Sequence, residues 1–292
     1  MKRPYLTVII PTYNRRAQLE KCLAALKAQT LNPDAFEVIV VNDGSPDDTK
    51  EFLNSIEKNW PSLTALHQKN SGQGTARNLA INQAEGQVVL FIGDDIYCQP
   101  DFLQQHVDFH EQNPEIEDTC LGLTLWDPNQ EVNPFMQWLT SGGPQFAYHK
   151  LTEGQQTNFW FFYTSNISVK KTLLEQHNFD TDFQTYGWED IELAYRLEKE
   201  GMRIHYKPAA LAHHDHQMKE ASLKKRMIGI GKNAKVFQNK HPELKIVPSF
   251  TKKLAFALMG SWPGLALARI IGKRFFWYAL SKRYFLQGLN SQ

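Results

Sequence analysis

Val88-Val89-Leu90-Phe91-Ile92-Gly93-Asp94-Asp95-Ile96, residues 88–96, sets five apolar residues directly against two neighbouring acids. A strand wetted on one face alternates apolar with polar residues. A strand of a parallel sheet is covered on both faces and reads as a continuous apolar run. Leu6–Ile10 and Val38–Val41 upstream have the same character. Each run is linked to a helical pattern. Leu19, Cys22, Leu23 and Leu26 recur at helical spacing after the first, with Asn14 as the expected N-cap. After the second, Ser45-Pro46-Asp47-Asp48 supplies a cap, a first-position proline and first-turn acids, and Phe52, Leu53 and Ile56 continue the helix. Ala76, Leu79, Ala80 and Gln83 mark a third helix just ahead of residues 88–92. This alternation predicts an α/β fold with a mostly parallel central sheet flanked by helices.

In such sheets ligands gather at the carboxyl ends of the strands, among loops and helix N-termini. The polar clusters sit at those ends: Pro11-Thr12-Tyr13-Asn14, Asn42-Asp43 and Gly93-Asp94-Asp95. Asp and Gly also make good turns, but three clusters in successive strand–helix connections favour a ligand site. From about Gln99 the pattern loosens. Residues 120–165, rich in aromatics, Gly, Pro and Asn, read as an irregular region packed onto the sheet. Glu189–Glu200 is again helical with Gly201 as its terminator, and Met202–Tyr206 reads as a strand.

With 292 residues, 42% hydrophobic and 22% charged, the chain can bury a sizeable core and is not disordered. It shows neither internal repeats nor collagen-like composition. The three cysteines, Cys22, Cys98 and Cys120, are odd in number and widely spaced, against a disulfide framework or a cysteine zinc site. The apolar stretch after Met1-Lys2-Arg3 is short for a signal peptide, and the expectation is a cytoplasmic protein. Charge is split along the chain. From Lys219 onward 15 Lys and Arg face only Glu220 and Glu243, a net +13, while the preceding 218 residues carry a net −12.

Several residues carry chemistry. Two adjacent carboxylates, Asp94 and Asp95, repel each other unless a cation or a hydroxyl-rich ligand compensates, and hard oxygen donors favour Mg²⁺ or Mn²⁺. Glu189-Asp190 opens a helix, whose N-terminal dipole keeps a carboxylate ionised and suited to accept a proton. His213-His214-Asp215-His216 places four ligand-capable residues in a row, of which His214 and His216 can share one face of an extended stretch. Arg77 follows the glycine-bearing turn Gly72-Gln73-Gly74, where backbone can approach a phosphate.

Taken together, VIIPTYNR (8–15), VVNDGS (40–45), NSGQGTARNLAI (70–81), LFIGDDI (90–96), GWEDIELAYRL (187–197) and the HHDH cluster resemble the family 2 inverting glycosyltransferases of GT-A fold. The resemblance spans about residues 5–216 with order and spacing kept. It implies a GT-A fold and metal-dependent, inverting transfer of a sugar from a nucleotide-diphosphate sugar to an acceptor hydroxyl on a glycan or lipid-linked acceptor, in polysaccharide, glycolipid or other cell-surface glycan synthesis. It implies roles as well. Pro11 and Tyr13 line the nucleoside pocket, Asp43 hydrogen-bonds the base and Arg77 lies against the nucleotide. Asp94 lies near the ribose, and Asp95 binds the divalent metal with His214 as a further ligand. Asp190 is the catalytic base and Glu189 contacts the acceptor. Gly93 stands where many members carry another Asp, and Asn42 replaces a frequent Asp. Thr164–Ser168 falls at an acceptor-side segment, while Trp160 just before it is read as core rather than acceptor contact. The implied division is a catalytic domain over 1–218, with a nucleotide-sugar half (1–100) and an acceptor half (101–218), and a basic helical extension over 219–292.

Two rivals remain. A sugar-nucleotide nucleotidyltransferase is suggested by residues 72–77, but that glycine loop normally follows the first strand and Glu189-Asp190 would have no task. A non-catalytic nucleotide-sugar-binding protein would not need both acidic motifs. The tail, 250–292, mixes bases with Leu254, Phe256, Trp262 and Phe275-Phe276-Trp277. Its longest uncharged stretch is 15 residues, Leu254–Ala268, against about 20 for a spanning helix. The expectation is a broken pair of helices resting on an anionic membrane surface, with the protein peripheral on the inner face of the cell membrane; the alternative is a basic tail packed on the acidic body, whose net −12 would attract it. The acidic body disfavours nucleic acid as the tail's partner.

Overall fold

A computed structural model of the chain describes residues 3–291. Met1 and Lys2, which belong to the leader reading above, and Gln292 lie outside the described residues. The chain begins β1 (Leu6–Thr12), α1 (Arg16–Lys27), β2 (Phe36–Asn42), α2 (Thr49–Glu57), β3 (Leu63–His67) and α3 (Gln73–Gln83). It continues β4 (Val88–Ile92), β5 (Ile96–Cys98), α4 (Phe102–Gln112), β6 (Asp118–Trp126), α5 (Pro134–Ser141), β7 (Gln156–Thr157) and β8 (Asn166–Lys170). After α6 (Lys171–Leu174), α7 (Glu189–Lys199) and β9 (Arg203–His214) come α8 (Ser222–Lys240), α9 (Phe250–Met259), α10 (Trp262–Ile271) and α11 (Lys273–Asn290). Contacts divide it into two units. The first runs up to Glu131 and adds Ala147–Thr181 and Asp190–His216; the second holds Val132–Phe146, Asp182–Glu189 and the chain from Gln217 onward.

All the strands belong to the first unit, in one sheet ordered β3-β2-β1-β4-β8-β6-β9-β5, with β7 paired to β9. β3, β2, β1 and β4 are parallel, with Thr12 opposite Asn42 and Leu6 opposite both Phe36 and Val88. β8 is antiparallel to β4 and β6, while β6 and β9 run parallel. Alternate residues of the parallel strands (Leu6, Val8, Ile10; Val38, Val40; Val88, Leu90, Ile92) join Leu19, Leu23, Leu26, Leu53 and Phe102 in one core. Their neighbours Ile9, Ile39, Val41, Val89 and Phe91 are equally buried, so both faces are covered, as the uninterrupted runs require. Each such side chain contributes about 1.5–3 kcal/mol.

Several local expectations change. Asn14 does not cap α1: it is left-handed (φ 54°), its N–H is bonded to Ser45 Oγ, and the cap position is Arg15. α2 starts at Thr49 rather than at Pro46, because Asp47 Oδ1 accepts from the Thr49 N–H at 3.2 Å and ends the turn there. β3 lay undetected, since it is an edge strand with mixed burial. The region 120–165 is more regular than its composition suggests. β6 is an interior strand whose pairing with β9 slips at Gly122, where a Cβ would lie 2.4 Å from Ala210 O. β9 is twelve residues long and carries Ala209–His214 as strand. Trp160 is not core; it is 40% exposed.

Behind β8 lies a buried polar chain. Asn166 Nδ2 donates to Leu123 O and Ala210 O, bridging the slip, so Oδ1 accepts from His106 Nε2 at 3.0 Å. Ser168 Oγ then donates to His106 Nδ1 and accepts from His110 Nε2, each at 2.8 Å, and Lys170 Nζ lies 3.4 Å from His110 Nδ1. Burial holds the two imidazoles neutral, pushing His106 down to about 4 and His110 to about 3.

In the second unit, α8 crosses α11 at paired glycines. A Cβ on Gly231 would lie 2.2 Å from Phe285 O, and one on Gly288 2.2 Å from Ile228 O. Residues 250–290 form three helices rather than a pair. α9 and α10 are bent by 69°, and no single described helix is long and apolar enough to cross a membrane.

Candidate functional site

β1 and β4 are neighbours, yet the chain leaves β1 for β2 and β3 before returning to β4. Strand order reverses here, and the crevice beyond the carboxyl ends is where open α/β sheets bind ligands. Across it, Thr12 Oγ1 donates to Asp94 Oδ2 at 2.8 Å. Arg15 Nη1 reaches both acids, 3.2 Å from Asp94 Oδ1 and 2.6 Å from Asp95 Oδ2.

β5 pairs antiparallel with the end of β9, Ile96 opposite His214, and the Asp215 N–H donates to Asp95 O at 2.9 Å. This pairing carries the histidines to the acid. His214 Nε2 lies 3.2 Å and His216 Nδ1 3.1 Å from Asp95 Oδ2. Asp215 takes the opposite side, accepting from Tyr97 Oη and Lys21 Nζ, and His213 Nδ1 meets Gln99 Nε2. Trp126 stacks on His214, ring centroids 5.2 Å apart and planes 10° apart, fixing its orientation. A Cβ at Gly93 would sit 2.8 Å from Asp95 Oδ1, so the absence of a side chain there leaves Asp95 room to face the histidines.

Environment separates the two acids. Burial and the charge of Asp95 raise Asp94 to about 6, against the opposing pull of Arg15. Asp95 is equally buried, but His214, His216 and Arg15 outweigh that and hold it well below the usual carboxylate range. Asp95 Oδ2, His214 Nε2 and His216 Nδ1 suit a divalent ion. The three residues' ligand atoms lie within 4.8 Å of one another, and adjacent ligands of an ion bound at about 2.0–2.2 Å are themselves about 3 Å apart. Imidazole in the set favours Mn²⁺ or a similar transition ion over Mg²⁺.

The other candidates flank this cluster. Pro11 is opposite Val41 near the end of β1, and Tyr13 just beyond is 47% exposed. Asp43 is buried and holds the β3–α3 connection in place, accepting from Gln68 Nε2 and the N–H groups of Ser71 and Gly72. Asn42 Oδ1 accepts from the Ser45 N–H, and its Nδ2 faces His67 Nδ1 at 3.4 Å, a donor contact Asp could not make. Gly44 (φ 73°) is required because a Cβ would press on Asn70 N at 2.7 Å. Arg77 is buried in α3, donates to Gln73 Oε1 and lies 5.3 Å from the Phe179 ring.

Phe179 links this region to α7. It meets Phe91 of β4 edge-on at 5.5 Å, and Asn78 of α3 brackets its backbone on both sides. Arg196 of α7 donates to the adjacent Asn178 O while paired with the buried Glu192. Asp190 accepts from the Ile191 N–H at 2.9 Å, and its charge helps to raise the Tyr163 phenol, pushed to about 12 chiefly by burial. Glu189, the first α7 residue, is buried. The turn before it is strained: Gly187 and Trp188 have φ of 93° and 79°, held by Asn233 bonding Thr185 O and Gly187 O and by Trp188 Nε1 donating to Ile230 O. A bulky residue there costs about 1–3 kcal/mol, and such strain clusters at functional sites.

Sequence reasoning did not single out Thr12, Arg15 or His216 for roles. Arg15 ends the VIIPTYNR motif, and a base beside one strand end facing acids beyond another was the available signal. His216 was visible only as sharing a face with His214.

Comparison with known proteins gives the family and the fold. A family model described as glycosyl transferase family 2 matches residues 7–180. Validoxylamine A glucosyltransferase of Streptomyces hygroscopicus subsp. limoneus is 28% identical over 266 residues, covering 82% of this chain and 58% of that one. The uncharacterized glycosyltransferase YfnE of Bacillus subtilis is 27% identical over 242 residues, covering 67% of this chain and 61% of its own. The chain spans about three-fifths of the length of these curated relatives. Among solved structures, mannosyltransferase PcManGT from Pyrobaculum calidifontis, in complex with GDP-Man and Mn²⁺, is similar with TM-score 0.67 and 20% identity over 99% of this chain and 86% of that one. TarS 1–349 of S. aureus in complex with UDP gives TM-score 0.58 and 19% identity, covering 97% and 89%. These likenesses give the fold as GT-A. The matched span runs from β1 through the acids after β4 to the segment that Phe179 anchors, and the chain belongs to glycosyl transferase family 2.

Proposed function

We propose that the chain transfers a sugar from a nucleotide-diphosphate sugar to an acceptor hydroxyl, with inversion and with a divalent metal ion. The observation that carries this is the convergence of His214 and His216 on Asp95 Oδ2 at the carboxyl end of the sheet, where a diphosphate would lie. The complexes of similar proteins with GDP-Man and Mn²⁺ and with UDP support the donor class.

Pro11 and Tyr13 border the nucleoside, Asp43 offers its remaining acceptor capacity to the base, and Asp94 faces the ribose. Arg77 lies on the nucleotide side through α3. Asp95, His214 and His216 would hold the divalent ion, which would supply Lewis-acid stabilisation to the departing diphosphate. Asp190 accepts the proton of the acceptor hydroxyl, assistance worth about 10²–10⁴-fold. The acceptor oxygen bonds to the anomeric carbon from the face opposite the diphosphate, which leaves with the electron pair of its bond, so configuration inverts. Glu189 contacts the acceptor. The two histidines favour Mn²⁺ over Mg²⁺ as the working ion.

The acceptor in this reading is a glycan or lipid-linked hydroxyl; a poly(ribitol-phosphate) beta-glucosyltransferase of Bacillus spizizenii, 30% identical over 110 residues, supports a polymer acceptor, whereas the validoxylamine A glucosyltransferase is named for a different one. In this reading residues 219–292 extend a catalytic domain over 1–218, and residues 250–292 place it peripherally at the inner face of the cell membrane. Screening UDP-, GDP- and dTDP-sugars with Mn²⁺ tests the activity. Release of nucleoside diphosphate with a product of inverted configuration is expected. Pyrophosphate release would instead support a nucleotidyltransferase, and binding without turnover a non-catalytic module.

A further inference from the structure

Large apolar side chains left in water gather on α9, α10 and the start of α11. Phe250, Leu258, Trp262, Ile270 and Ile271 are between 61% and 83% exposed. Among the described residues α9 has none that is buried, although it is mostly apolar. Ten-residue helices are marginal in water on their own. Among the described residues α10 buries only Leu265 and Ala268, packed with Ala279 of α11, and Ile270 and Ile271 stay outward. The bend between the two helices is fixed by close packing: a Cβ on Gly264 would lie 2.3 Å from Leu258 O. Each helix is about 15 Å long, half the roughly 30 Å hydrocarbon core, so the pair is shaped to lie along a surface.

Charge selects the surface. From residue 244 onward there is no Asp or Glu, while Lys252, Arg269, Lys273 and Arg274 are exposed beside the apolar residues. A second copy would present the same bases and be repelled, whereas anionic lipid attracts them. We propose that α9–α10 is an in-plane anchor for a bilayer containing anionic lipid. Phe250, Leu258, Trp262, Ile270 and Ile271 enter the headgroup–acyl boundary, and the bases meet the phosphates. The proposal specifies the membrane partner of the preceding reading, and its test scores binding alone, so failure of sugar transfer and failure of anchoring are separable.

The test is co-sedimentation of the full chain with vesicles of phosphatidylcholine, with and without phosphatidylglycerol. Wild type is expected to partition onto the anionic vesicles at least about tenfold better, each nearby base contributing about fivefold, and to be released by high salt. Phe250→Ser with Ile270→Ser, both sites over 80% exposed and therefore tolerant, is expected to lower partitioning on the order of 100-fold with an unchanged circular dichroism spectrum. Equal binding to both vesicle types, no binding, or unchanged binding by the variant would overturn the proposal. So would a wild-type dimer in light scattering that the variant converts to monomer, which would assign this face to a second copy.

Discussion

Arg15→Gln is the most informative change at the acidic cluster. Arg15 Nη1 lies 2.6 Å from Asp95 Oδ2, the oxygen on which both histidines converge, so a cation binding there must displace it. Removing one partner of a buried ion pair costs about 3–5 kcal/mol. The Arg15 side chain is 37% exposed while those of Asp94 and Asp95 are 8% and 9%, and solvent screening reduces the cost to about 1–2 kcal/mol. In chelator, the variant is therefore less stable by that amount in urea unfolding. The cycle closes on the same free energy: wild type gives up the pair on loading and the variant has nothing to give up. Mn²⁺ then binds Arg15→Gln about 5–30-fold more tightly by calorimetry, and saturating Mn²⁺ closes the stability gap. The gap also depends on pH. Asp94 stands at about 6 with Arg15 beside it and is raised further once that cation is gone, so the variant takes up the proton first and the gap narrows as pH falls toward about 6. Equal stability in chelator, or a gap that persists in saturating Mn²⁺, would refute the placement of the cation on Asp95 Oδ2.

His214→Ala and His216→Ala should each weaken Mn²⁺ binding about 10–100-fold and Mg²⁺ binding less, read by calorimetry; equal losses for the two ions would remove imidazole from the ligand set. His110, held at about 3, stays neutral in the fold but binds a proton in the unfolded chain below its ordinary 6.5. Stability therefore falls with pH through that window by about 1.4 kcal/mol per unit for this group. Between pH 6 and pH 4, wild type should lose roughly 2–3 kcal/mol more than His110→Gln, whose amide can still donate to Ser168. Parallel urea-stability curves would show that the buried chain does not exclude the proton.

The parallel half of the sheet and its acidic ends were legible because Val8, Val40 and Leu90 sit in runs buried on both faces, and such runs leave little choice of period. β3 was not legible, since only Leu63 of its five residues is buried. β6 was hidden by Gly122, which breaks its pattern where the strand slips against β9. Asp95 and His214 could be picked out from charge and donor chemistry alone. Their meeting depends on β5 pairing with β9 across more than a hundred residues, which local pattern does not encode. The same distance hid Arg15, whose acids come eighty residues later, and the chain His106–Ser168–His110, whose members look like ordinary strand and helix residues until β8 lies beside α4. Residue type announced the chemistry, and long-range pairing assembled it.

The account stands most directly on Asp190→Asn, measured for sugar transfer and for nucleotide binding in the same preparation with Mn²⁺ and the donor found by the screen. A base that only takes the acceptor proton predicts transfer reduced about 10²–10⁴-fold, with affinity for UDP or GDP within about threefold of wild type. Transfer within about tenfold of wild type would contradict it, because the acceptor would then be losing its proton to another group.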